Sequence, residues 1–265
     1  MTKVMTFAPV EPRELGRLTA SPLRLALLQA RTTPVLAFEQ PADVQRLVEA
    51  LEGRWTLSDR QSNREVSVQV GPAGVQQQAS VPETVWVLTS EDAGTHGAVS
   101  SSSVAVESDR YAQWEDVHAD ATDLFAAVER VAAPARCTRL GLRYINELRD
   151  ERVDGDPQRL AELVNPALLA PALALARPMV GSLAELRVNE DEDNFFVLRH
   201  GLVQSGVYLL DLDAYREQPE PFDTEALLAH AERFHARIES VFAWSLTDGY
   251  LHELGSGADQ TEGAS

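Results

Sequence analysis

Along residues 21–31, SPLRLALLQAR, Leu23, Leu25 and Leu27 recur two apart, which predicts a strand with one apolar face. In 41–52 the spacing changes. Val44, Leu47, Val48 and Leu51 fall at i, i+3, i+4 and i+7, and Gly53 follows, which predicts an amphipathic helix stopped by glycine. Trp55–Leu57 and Glu65–Val70 read as strands separated by the polar run SDRQSN. Glu83–Ser90 reads as a strand buried on both faces, with Val85 and Val87 on one side and Trp86 and Leu88 on the other. A loop over Glu91–Gly97 leads to a weaker strand at 98–107, interrupted by the serines at 100–103. The clearest helix is Trp114 to Ala132: Trp114, Val117, Ala121, Leu124, Phe125 and Val128 share one stripe, and Pro134 ends it. Then CTRLGLRYINE (137–147) alternates Leu140, Leu142 and Tyr144 against Arg139, Gly141 and Arg143, a strand with one polar face.

Residues 149–158, RDERVDGDPQ, form a charged turn and the expected boundary between two halves. A short helix at 159–164 and a proline-punctuated apolar connector at 165–180 follow, then strands at 183–188, 195–200 and 203–213. NEDEDN (189–194) is the turn between the first two of these. The last helix runs from Asp223, its N-cap, to Trp244 with Leu227, Leu228, Ala231, Phe234, Ile238, Val241 and Phe242 as its core stripe. The expected fold is α+β: two similar units of antiparallel sheet, each covered by one long helix as a two-layer sandwich. The units are 1–150 and 151–254, with 255–265 a disordered tail. Each places a tyrosine (Tyr111, Tyr215) ahead of its long helix, consistent with a degenerate duplication. A doubly wound parallel sheet needs helices between most strands, and the pattern lacks them.

Charge narrows the functions. The 265 residues carry 23 Lys and Arg against 41 Asp and Glu, a net charge of −18. Residues 1–106 hold 9 against 11, and 107–265 hold 14 against 30. A chain so acidic is unsuited to direct nucleic-acid binding or to docking on anionic lipid, both of which need a basic footprint. The acidic second half fits either a face that steers a basic protein partner or plain colloidal solubility, which a net charge of this size supplies by itself. One cysteine, Cys137, allows no internal disulfide or Cys/His zinc spacing, so a reducing, cytoplasmic setting is expected. The longest uncharged apolar stretch, Pro166–Ala176, is too short for a membrane span of about 20 residues.

The common hydrolase, P-loop, dinucleotide and metalloprotease motifs are absent, and no cofactor is expected. His230 and His235, five apart on one helix, point about 140° from each other and cannot share a metal. His235 has Glu239 one turn on, a proton carrier with its carboxylate or a local helix pair. The acidic run Glu190–Asp193 fails as an EF-hand, because Phe196 and Leu202 stand where its Gly and Glu belong. The 139–147 strand holds the remaining chemistry. Arg139 and Arg143 on one face could grip a carboxylate or phosphate, and Asn146 would join them only across a bulge. A candidate ligand site is therefore Arg143 as anion anchor, Tyr144 or His235 as acid and base, and Asn146 as orienter. The competing reading of Arg143 is an internal ion pair.

From FAPVEPREL, Tyr111, Trp114 and Glu115 at a helix opening, GLRYIN (141–146), and the closing set His235, Ile238, Phe242, Thr247 and Asp248, the chain resembles a family of sporadically distributed, uncharacterised bacterial proteins. The likeness covers about residues 7–255; the connector at 165–180 has no counterpart. The resemblance implies no activity, substrate or cofactor. Its patchy distribution is similar to that of defence or toxin–antitoxin genes and implies a partner encoded nearby. The expected function is thus a non-catalytic cytoplasmic binding module for a protein partner. The alternative is a small anionic ligand-binding protein or enzyme centred on Arg143, Tyr144 and Asn146. A mimic of nucleic acid, using rows of carboxylates, is a third.

Overall fold

The computed structural model describes residues 10–63, 66–71, 74–79, 83–91, 94–204 and 206–255, with 62–63, 66–71, 74–79 and 204 described by backbone alone. The tail expected at 255–265 lies outside the described residues from 256 onward, as do residues 7–9 of the family-like start. The fold is mixed α/β, with a large antiparallel sheet and six helices among the described residues. Two compact units divide the chain. The first gathers Met1–Leu25, Leu142–Tyr215 and Glu232–Ser265, the second Ala26–Gly141 and Arg216–Ala231. The boundary expected at 150/151 therefore falls inside the first unit, because the chain passes from one unit to the other within single strands and within a helix.

The second unit opens with β1 (Leu23–Thr32, from Ala26 onward), then α1 (Pro41–Ala50), β2 (Trp55–Asn63), β3 (Val66–Gly71), β4 (Gly74–Ala79), β5 (Glu83–Ser90), β6 (Thr95–Val99) and β7 (Ser103–Ser108). After them come α2 (Trp114–Ala132), β8 (Arg136–Leu148, to Gly141 here), β12 (Glu220–Pro221) and the start of α5 (Thr224–Ser245). Its strand order is β2-β5-β6-β7-β1-β8, with β12 on β8 and β3–β4 a separate hairpin. The α2 stripe is buried as expected. Gly97 in β6 lets it sit close: an added Cβ would lie 2.9 Å from Leu124 Cδ2 and 3.1 Å from the Trp55 ring.

Three expectations change in this unit. The polar run 58–63 is no loop but the continuation of β2, an edge strand exposed at Thr56–Gln61, with a register shift between Leu57 and Asp59. Water on both sides explains why its residues are polar. β5 buries Trp86, Leu88 and Ser90, while Val85 and Val87 are only partly covered. The serines at 100–103 make the turn of a β6–β7 hairpin, whose first strand begins at Thr95 in the expected loop. The Glu83 carboxylate accepts from the hydroxyls of Ser101 (2.7 Å) and Ser102 (3.1 Å), holding that turn.

The first unit carries the rest of β8 and α3 (Pro157–Leu160), α4 (Ala170–Leu175), β9 (Ala184–Asn189), β10 (Asn194–Gln204) and β11 (Val207–Arg216). It ends with α5 from Glu232 and α6 (Asp248–Gly255). The strand order is β8-β11-β10-β9. Past the break expected after His200, β10 runs on to Gln204, and β11 begins at Val207, after Gly206 at φ 80°. The α6 helix has no counterpart in the pattern reading; Thr247 caps it, its hydroxyl accepting from the Tyr250 amide at 3.2 Å.

Candidate functional site

The strand β8 keeps strict alternation past Gly141: Leu142, Tyr144, Asn146 and Leu148 are buried, while Arg143, Ile145 and Glu147 are partly exposed. There is no bulge to bring Asn146 round. Arg143 therefore lies on one face of the sheet, and Tyr144 and Asn146 on the other.

The Arg143 guanidinium is engaged inside the unit. Its Nε and Nη2 donate to the two carboxylate oxygens of Asp211 on β11 at 2.8 and 2.7 Å. Asp211 is 3% exposed, Arg143 38%. Asp211 also accepts from Arg199 Nη1 at 3.4 Å, and Arg199 Nε donates to Glu185 at 2.7 Å. The hydrogen bond to Asp211 raises the Arg143 pKa above its already high value, against the opposing effect of burial. A buried carboxylate needs such a bidentate partner. Arg143 is thus the counter-ion of Asp211, holding both oxygens of its buried carboxylate within the sheet. Asp211 was not among the candidate residues; the signal was an acid set inside the apolar strand VYLLDLDAYR.

On the opposite face Tyr144 and His235 do meet. The phenol oxygen lies 3.1 Å from Nδ1 of His235, whose Nε2 lies 3.7 Å from Glu239. Both rings are well covered, Tyr144 at 6% exposure and the His235 side chain at 13%. Asn146 is 3% exposed and donates to the Leu210 carbonyl at 3.1 Å, tying β8 to β11. The Tyr144–His235 hydrogen bond can share a proton, with Glu239 beyond hydrogen-bond reach, and it fastens α5 to the strand. A second pair of this kind joins His200 Nδ1 to the Tyr208 hydroxyl at 2.7 Å. Burial pushes the imidazole pKa down and the phenol pKa up, so both rings are favoured neutral, and the imidazole tautomer sets which of the two donates.

A cavity of about 570 Å³ is lined by Val10, Pro12, Arg13, Glu14, Ala236, Arg237 and Ser240. None of the four candidate residues lines it. Its Arg237 is paired with Glu190 and its Arg13 with Asp248. Among the described residues, no group of three or more His, Cys, Asp or Glu is placed to hold a metal ion. No described helix is long and apolar enough to cross a membrane. Of the motif residues, GLRYIN lies within β8, Trp114 and Glu115 begin α2, His235, Ile238 and Phe242 sit on α5, and Asp248 begins α6. No family model matches the chain, and no curated protein does.

Proposed function

We propose that this chain is a non-catalytic binding module that recognises a protein partner. The observation that carries the reading is the segment from the end of α4 to the start of β9, where Leu175 is 74% exposed, Val180 fully exposed and Leu183 67% exposed. Large apolar side chains left in water along one short segment give a partner an apolar surface to cover. The charge imbalance of residues 107–265 favours a basic partner, steered by the acidic surface before the apolar contact forms. The same reading keeps the chain in the sporadically distributed bacterial family and in the cytoplasm, with the partner encoded nearby, as in defence or toxin–antitoxin pairs. It also takes the two expected halves, 1–150 and 151–254, as degenerate copies of one plan, α2 being the long helix of one and α5 that of the other.

The small-anion alternative is less well supported. Its anchor, Arg143, already holds a carboxylate, and Tyr144 and Asn146 face the other way. The test is affinity purification of tagged protein from its native host at low salt, beside a variant carrying Leu175→Ser, Val180→Ser and Leu183→Ser. A stoichiometric basic protein is expected with the wild type only. Equal recovery with the variant, or no stoichiometric partner with either, would overturn the proposal.

A further inference from the structure

The strand β9 closes one end of the strand order, paired with β10 on one side, and no described strand lies against its other edge. It is in regular register from Ala184 to Asn189 and contains neither proline nor bulge, two of the devices that protect such an edge. Every residue of it is exposed except Val188, which is partly so. We infer that this edge is the interface of a homodimer, in which β9 of two copies pair antiparallel about Leu186. This goes beyond the partner reading above and does not depend on it.

The direction of the backbone groups sets which residues can pair. Just outside β9, the Ser182 amide donates to the Leu202 carbonyl and the Glu190 amide to the Asn194 carbonyl, both at 2.9 Å. In an antiparallel ladder the inward-bonding residues alternate, so Ala184, Leu186 and Val188 also bond towards β10. Glu185 and Arg187 then present their N–H and C=O groups to the open edge. A two-fold axis through Leu186 sets Glu185 opposite the partner's Arg187 and Arg187 opposite the partner's Glu185. Both are hydrogen-bonding positions, so each pair exchanges backbone bonds while its side chains carry opposite charge. Leu186 meets the partner's Leu186 as a non-bonded pair, where side chains come closest.

The faces agree as well. Leu186 is 56% exposed and lies beside buried Leu198 on β10, so pairing extends one apolar row from Leu198 through Leu186 into the second copy. Glu185 and Arg187 share the other face. Glu185 is steadied by Arg199 at 2.7 Å, and Arg187 lies over the Phe195 and Tyr215 rings at 5.1 and 5.4 Å. A shift of register by one residue would set outward backbone groups against inward ones and lose the bonds. A shift that kept parity but moved the axis to Glu185 or Arg187 would oppose like charges. The sequence AELRVN is thus self-complementary in one register only, which is what selects a second copy over another strand.

A six-residue strand is small beside a standard interface, so the dimer is expected to form and dissociate with concentration. The test uses the purified full chain alone, so its failure leaves the partner proposal standing, and failure of that proposal leaves this one. Sedimentation is expected to show a monomer–dimer equilibrium. Residue-resolved hydrogen exchange is expected to show protection at the Glu185 and Arg187 amides that rises with protein concentration. Glu185→Arg alone and Arg187→Glu alone each oppose like charges at both symmetry-related pairs and should weaken the dimer on the order of tenfold or more. Combining the two reverses both charges and should restore it. A wild-type monomer at every concentration would overturn the inference. So would a double variant no better than the singles, or protection of those amides that ignores concentration.

Discussion

The Arg143–Asp211 pair decides what kind of residue Arg143 is. If its guanidinium serves Asp211, then Asp211→Ala strands a partly buried cation and removes both bonds. The expected loss is about 1–3 kcal/mol in urea unfolding, below the 3–5 usual for a fully buried pair because Arg143 is 38% exposed and water screens it. Replacing both, Arg143→Met with Asp211→Leu, should recover most of that loss, since no charge is then left without its counter-ion. A double variant as unstable as the single would tell against a purely structural pair. His200 gives a second test. Burial holds its imidazole below the ordinary value of 6.5, so in that window the unfolded chain binds a proton that the folded chain does not. Stability therefore rises with pH through the window and is lost as pH falls below about 6.5. His200→Gln keeps a hydrogen-bonding side chain beside the Tyr208 hydroxyl but does not titrate. Its melting temperature should fall less steeply than that of the wild type as pH is lowered from about 7 to about 5; parallel slopes would remove His200 as the cause.

At the scale of elements, what could be read from the chain depended on whether burial or solvent governed a residue. The α2 helix was legible to its last residue, because one face of it is buried and its apolar spacing records that face. The polar half of β2 was not, because an edge strand with water on both sides has no alternation to show. The serine turn between β6 and β7 was misread for a related reason. The Glu83 carboxylate that holds it lies 18 positions before Ser101 and 19 before Ser102, and no local pattern reveals a partner at that distance. For the candidate site, the alternation of GLRYIN correctly placed Tyr144 opposite Arg143, and the helical spacing correctly placed Glu239 beside His235. That Tyr144 meets His235 and that Arg143 is bound by Asp211 are long-range pairings, set by strand order rather than by spacing.

For the whole molecule the controlling quantity is the net charge of −18 on each chain. It acts with opposite sign on the two associations proposed. A basic partner is attracted by the field, and salt screens that attraction, so partner affinity should fall as ionic strength rises. Two copies of this chain repel each other through the same field while Glu185 and Arg187 attract at contact distance across the β9 edge. Contact pairs are screened less than charges separated by more than a Debye length, about 10 Å at 0.1 M salt. Added salt should therefore relieve the repulsion faster than it weakens the pairs. From about 20 to about 150 mM salt the homodimer should tighten while the complex with the basic partner loosens. Sedimentation of the purified chain and of the complex across that range measures both slopes. A homodimer that dissociates as salt is added would assign its stability to the local ion pairs over the global field. A partner complex that tightens would leave the apolar connector, and not the acidic surface, as the source of its affinity.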